Sequence, residues 1–119
     1  MMSASKVAAP DAANEVRLVG RVSQQPTELV LPSGDSVWTF RVVVPRPAGS
    51  VRPRQTVDAL DCCVWSGRVR RSVAGWGVDD LVEVTGAVRR RFFRTAHGTS
   101  SRVEVEVSGG KVIRRAASA

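Results

Sequence analysis

Along this chain apolar residues recur mostly at every second position, the period of strands with one buried face. Val16, Leu18, Gly20 and Val22 alternate with Arg17, Val19 and Arg21, which predicts a first strand beginning near Asn14. Pro26 breaks the pattern and leaves Thr27 to Leu31 as a short continuation or an edge strand. Pro32-Ser33-Gly34-Asp35 reads as a turn, because proline presets φ and glycine tolerates positive φ. Ser36 to Val44 predicts a second strand and Val57 to Trp65 a third. Between them, Pro45 to Thr56 holds Pro45, Pro47, Gly49 and Pro53, so it is expected to be a long loop. After Ser66-Gly67, Val69 to Trp76 is the one plausible helix. Leu81 to Thr95, with Gly86 inside it, predicts a long fourth strand. Ala96 to Ser100 would be a hairpin tip, and Arg102 to Ser108 a fifth strand with Val103, Val105 and Val107 alternating. Lys111 to Arg115, beyond Gly109-Gly110, is expected as a last short strand.

Strand, strand, strand, short helix, strand, strand is the order of an all-β OB-fold, a five-stranded Greek-key barrel with one short helix between strands 3 and 4. Spacing alone leaves other small barrels open. The length of 119 residues suits one domain. Residues 1–13 read as a flexible arm, 14–115 as the barrel and 116–119 as a short tail.

Parity sorts the side chains into two sets. Val82, Val84, Gly86 and Val88 are expected inside the barrel; Glu83, Thr85, Ala87, Arg89, Arg91 and Phe93 are expected outside. On the third strand Leu60, Cys62 and Val64 go in, while Val57, Ala59, Asp61, Cys63 and Trp65 face out. Trp65 and Phe93 therefore share the outer surface. Trp38 has the parity of Phe40, Val42 and Val44 and reads as core or barrel end. Trp76 is expected to plug the barrel bottom. Phe92 faces opposite Phe93, so one of the two is expected to be buried or at an interface.

Charge changes the picture. Eighteen Lys and Arg against eleven Asp and Glu give a net charge of +7, a balance that attracts polyanions, of which nucleic acid is the commonest in a cell. Only Lys6 and Lys111 are lysines. Arginine favours bidentate and stacked contacts with phosphates and bases, although a GC-rich genome would also enrich it. Rings interleaved with arginines suit a single strand, which needs charge for phosphates and a π-face for bases. The candidate contacts are Trp65 and Phe93, with Arg89, Arg91 and Arg94 beside them. Arg41 and Arg102 on other strands, Arg46, Arg52 and Arg54 on the basic loop, and Arg68 at the helix start complete the set. The bland alternatives are solvated charge for the loop and helix arginines, and an oligomerisation patch for the two rings.

Other chemistry is thin. Cys62 and Cys63 are neighbours on a strand, where a mutual disulfide would be strained, and they fall short of a zinc site. They read as reduced core or sheet residues, and His97 is the sole histidine. Asp58 and Asp61 lie on opposite faces, and Asp79 and Asp80 sit in a turn. With no phosphate-cradling glycine loop, no metal cluster and no supported acid–base pair, the chain is not expected to be an enzyme or to hold a cofactor. No apolar run approaches the roughly 18 residues of a membrane span, and the start lacks the apolar core of a signal peptide. A cytoplasmic, nucleoid-associated protein is expected.

Asn14-Glu15-Val16-Arg17-Leu18-Val19-Gly20-Arg21-Val22 resembles the opening strand of bacterial single-stranded DNA-binding proteins. Pro32-Ser33-Gly34 followed by Val37-Trp38-Thr39-Phe40-Arg41-Val42 is similar to the next part of that family. So are Asp61-Cys62-Cys63-Val64-Trp65 with Gly67-Arg68, and Leu81-Val82-Glu83-Val84-Thr85-Gly86 followed by basic residues. The resemblance runs in order from about Asn14 to Arg115. It implies an OB-fold homotetramer that wraps single-stranded DNA, with stacking positions falling on Trp65 and Phe93. At two further aromatic positions of the family, near Ala59 and Ala48, this chain has no ring, so binding is expected to lean on arginine. The family usually closes with an acidic tip that recruits other enzymes. The basic end Arg114-Arg115-Ala116-Ala117-Ser118-Ala119 implies that such recruitment is absent, if it is the natural end.

Two other functions fit the same residues. An adaptor in a replication or primosome complex would put Trp65 and Phe93 in protein interfaces and bind DNA weakly. An RNA-binding OB protein would use the same charge and stacking, because neither tells RNA from DNA unless the 2′-OH is read.

Overall fold

In a computed structural model that describes residues 11–49 and 54–117, the chain runs β1 (Val16–Val30), β2 (Ser36–Pro45), β3 (Val57–Val64), α1 (Gly67–Val73), β4 (Leu81–Thr95) and β5 (Gly98–Arg114). The strands close into a barrel in the order β1-β2-β3-β5-β4. Neighbours are antiparallel except β3 and β5, which run parallel. With α1 between β3 and β4, this is the five-stranded OB barrel. Among the described residues no helix is long and apolar enough to cross a membrane.

The valine alternation builds the core. Val22, Val42, Val64, Val82 and Val84 are wholly buried, and branched side chains of this kind suit a pleated surface. Trp76 is 2% exposed and meets Phe40 edge-on, with ring centroids 5.4 Å apart and planes at 85°. A T-shaped pair of this kind adds about 0.5–1.5 kcal/mol beyond area burial. Trp38 is half-buried and packs against the same core.

Three local expectations need correction, and one alternative is decided. The helix covers Gly67–Val73, not Val69 to Trp76. Its end tightens as the Gly75 N–H bonds to the Ser72 carbonyl and the Trp76 N–H to the Val73 carbonyl, so Trp76 lies in the following turn. At Pro26 the continuation left open by the sequence is what the structure shows: β1 runs on to Val30. Its pairing with β2 slips between Gln24 and Thr27, and buried Pro26 sits in that irregularity, where its missing N–H breaks no ladder bond. The hairpin tip is only Ala96-His97, with Gly98 at φ +123° resuming the strand. β5 is one strand through Gly109-Gly110. Thr85 pairs with Gly109 and Gly86 with Val107, which leaves Ser108 as a bulge. Val105 and Val107 point inward before it, and Gly110 and Val112 after it. Gly110 lies so close to the Trp76 ring that a Cβ would crowd it.

Val88 is also corrected: it is 42% exposed rather than inside. β1 pairs with β4 only as far as Val16 opposite Gly86. Beyond that point the β4–β5 hairpin outgrows the barrel and its inner face opens to solvent. Two residues further on, the Asn14 side chain takes over from the backbone ladder: it donates to the Val88 carbonyl (2.7 Å) and accepts from the Val88 N–H (2.8 Å).

The end of β5 is pinned by buried Asp80. Its carboxylate accepts from the Ala116 N–H (2.8 Å), the Gly77 N–H (2.9 Å) and Arg115 Nη1 (2.9 Å). The Ala116 and Gly77 amides, with the Arg115 guanidinium behind them, hold the carboxyl below the usual range. A folded value below the unfolded one gives stability that is present above the ordinary carboxylate value and lost as pH falls through the folded value. Asp80→Ala is expected to cost about 2 kcal/mol at neutral pH. Urea unfolding should show the gap from the parent narrowing below about pH 4. A gap of constant size down to acid pH would mean that the charge of Asp80 is not its source.

Candidate nucleic-acid interface

Residues directly opposite in a sheet share a face, so the register assembles one outer surface across β2, β3, β5 and β4. It sets Arg41 opposite Asp61, Arg89 opposite Glu104, Arg91 opposite Arg102 and Phe93 opposite Ser100. Trp65 follows β3 directly onto this surface. The Arg91 guanidinium carbon stands 5.3 Å from the centroid of its ring, and Arg91 Nη2 reaches Glu104 Oε2 at 3.0 Å. Glu104 in turn accepts the Cys63 thiol at 3.0 Å. A Trp–Arg–Glu–Cys series thus runs from the solvent side down to the sheet, and it fixes the guanidinium against the ring.

That series corrects the expectation for Cys63. Its parity is outward, yet it is 2% exposed because Glu104 and Arg91 lie over it. Burial, then the hydrogen bond to Glu104, pushes its thiol up to about 12. Cys62, in the core, is pushed up to about 12 chiefly by burial. Both thiols are free, protonated and poor nucleophiles at neutral pH.

Carboxylates pair most arginines of this face. Arg89 Nε lies 2.7 Å from Glu106 Oε1, and Arg41 Nε 2.9 Å from Asp61 Oδ1. Arg102 stands over the Phe93 ring at 5.9 Å. Beside Trp65 an open cleft of about 1060 Å³ is lined by Asn14, Arg17, Trp65, Thr85, Arg89 and Glu106, among others. Asn14, Arg17 and Thr85 carry no sequence signal for this cleft, since only the β1–β4 register brings them to it.

The remaining candidates scatter. Arg46 is no free loop charge: its N–H bonds to the Thr56 carbonyl and its guanidinium holds Asp58 Oδ1 at 2.7 Å. The hydrogen bond from Arg46 keeps the Asp58 carboxyl below its usual range. Arg54 is exposed in the turn before β3, and Arg52 lies outside the described residues. Arg68 is exposed at the start of α1, in a separate hollow with Trp38, Arg70 and Arg71. Arg94 is on the face of β4 opposite Arg89 and Arg91. Neither ring of the Phe pair is buried in the single chain: Phe92 is 67% exposed and Phe93 38%. Among the described residues no group of three His, Cys, Asp or Glu could hold a metal ion.

Comparison with known proteins points the same way. The profile described as the Single-strand binding protein family matches residues 13–113. The chain is 31% identical over 85 residues to single-stranded DNA-binding protein 3 of Listeria innocua, covering 71% of this chain and 53% of that protein. It is 27% identical over 85 residues to the single-stranded DNA-binding protein of Oceanobacillus iheyensis, with the same coverage. The chain therefore spans about half the length of these relatives. Among solved structures, a Plasmodium falciparum SSB complex with ssDNA superposes with a TM-score of 0.67 at 20% identity, covering 92% of this chain and 100% of that one. A mitochondrial single-stranded DNA binding protein from S. cerevisiae gives 0.64 at 12% identity, over 86% and 96%. These two likenesses establish the fold.

Proposed function

Since the chain belongs to the single-strand binding protein family, we propose that it binds single-stranded DNA without strong sequence preference and shields it during replication, recombination or repair. The observation that carries this reading is the half-exposed Trp65 ring with the Arg91 guanidinium held against it and the Arg89-lined cleft alongside. Every base has a π-face, so a ring stacks on any of them. Each guanidinium has five donors, so one already bound to a carboxylate still reaches a phosphate. Trp65 and Phe93 take bases. Arg41, Arg89, Arg91 and Arg102 track the backbone, and Arg46, Arg54 and Arg68 add charge around them. The reaction is binding alone, with no bond made or broken. A homotetramer, as the family resemblance implies, would set several such surfaces on one particle.

Titration with oligo-dT at low and high salt, read by Trp emission, tests the reading. Binding at low salt should quench the emission, and the affinity should fall linearly on a log–log plot. The slope is about −0.7 for each phosphate neutralised on a single strand. Absence of binding at low salt would sink the proposal and favour an adaptor. Equal competition by RNA would shift the ligand class.

A further inference from the structure

β4 carries two arginine and phenylalanine series, one residue out of phase. Arg89, Arg91 and Phe93 lie on the outer surface described above; Arg90, Phe92 and Arg94 lie on its reverse. The reverse face is open because the hairpin has left the barrel. Val88 is 42% exposed, Phe92 67% and Val103 49%.

The two faces differ in their acids. Arg89 and Arg91 are each paired with a carboxylate, Glu106 and Glu104. Across from Arg90, Phe92 and Arg94 stand Val103, Ser101 and Thr99. Among the described residues no ion pair includes Arg90 or Arg94; Arg90 Nη1 instead donates to Ser101 Oγ at 3.1 Å. A phosphate approaching the outer face competes with carboxylates already in place. On the reverse face it meets no such competitor.

We propose that the reverse face of the hairpin is a second single-strand site, with Phe92 stacking a base and Arg90 and Arg94 binding the flanking phosphates. This rests on the DNA-binding reading above. A strand rises about 3.4 Å per residue, so the two arginines flank the ring at about 7 Å on either side. Cations on both sides of an exposed ring, with no acid opposite, match a polyanion that carries bases. A second copy of this chain would have to bring carboxylates to the same spot.

Compare the parent with an Arg90→Ser/Phe92→Ala variant on oligo-dT of about 8 and about 30 nucleotides, within and beyond the roughly 4–16 that one OB barrel occupies. The variant should lose about tenfold in affinity for the long oligomer and occlude fewer nucleotides, yet stay within about twofold on the short one. Phe92→Trp, which keeps a ring at the site, should add emission that the long oligomer quenches. Equal binding of both lengths by parent and variant would overturn the second site. So would a fall in the particle mass of the variant by light scattering, since the face would then join copies of the chain. Failure of the parent to bind either oligomer would strike the DNA-binding reading itself, and the second site with it.

Discussion

Alanine at Trp65 or at Phe93 is expected to weaken oligo-dT binding roughly 5- to 150-fold each, the equivalent of about 1–3 kcal/mol per stacked base. The larger loss should fall on Trp65. Its indole offers more area than a phenyl ring, it borders the cleft, and Arg91 lies against it. Phe93 sits nearer the hairpin tip with Arg102 beside it, a position that contacts fewer nucleotides. Neither residue belongs to the core cluster, so circular dichroism and melting should be unchanged. The loss should be similar on dT and dA oligomers, because stacking does not read base edges. Fluorescence anisotropy with end-labelled oligomers measures both variants without relying on Trp emission. Parent-like affinity in both, with the fold intact, would remove this surface from the function.

Gly86→Ala should have the largest effect on stability. At Gly86 the β4 backbone passes so close to β5 that a Cβ would overlap the Glu106 carbonyl oxygen, and the obstacle is backbone, which cannot rotate away. Overpacking of this kind costs about 3 kcal/mol or more. For a domain of this size that is a fall of roughly 12–24 °C in Tm. Gly67→Ala is the control: at the first position of α1 its Cβ would meet only an Arg70 side-chain nitrogen at 3.5 Å. It should be neutral or slightly stabilising, because alanine restricts the unfolded chain. Calorimetry on the two variants separates the cases. A Gly86→Ala protein melting within a few degrees of the parent would mean that β4 and β5 part there at little cost.

The strand order and most of the core were legible because valines at period two leave little choice of face. What was not legible depends on partners far along the chain. Val88 has inward parity, but only the point at which β1 stops pairing decides whether anything covers it. Cys63 has outward parity, and its cover comes from Glu104, forty-one residues away. The arginines stood out as a set, yet their carboxylate partners required the register. Grouping Arg94 with Arg89 and Arg91 followed nearness in sequence over parity, which by itself places Arg94 with Arg90 and Phe92. The break expected at Gly109-Gly110 came from reading a change of phase as an end.

That change of phase has a consequence of its own. Ser108 divides β5 into two lengths whose inward positions are odd-numbered on one side and even-numbered on the other. Deleting that single residue would set Val105, Val107, Gly110 and Val112 at alternate positions of one regular strand, so every side chain would keep its face and only the local bend and extra twist of the bulge would be lost. The bulge therefore works as a bend within one strand. On one side of it Glu104 and Glu106 meet Arg91 and Arg89, and on the other Gly110 and Val112 pack at Trp76 and the closed end of the barrel.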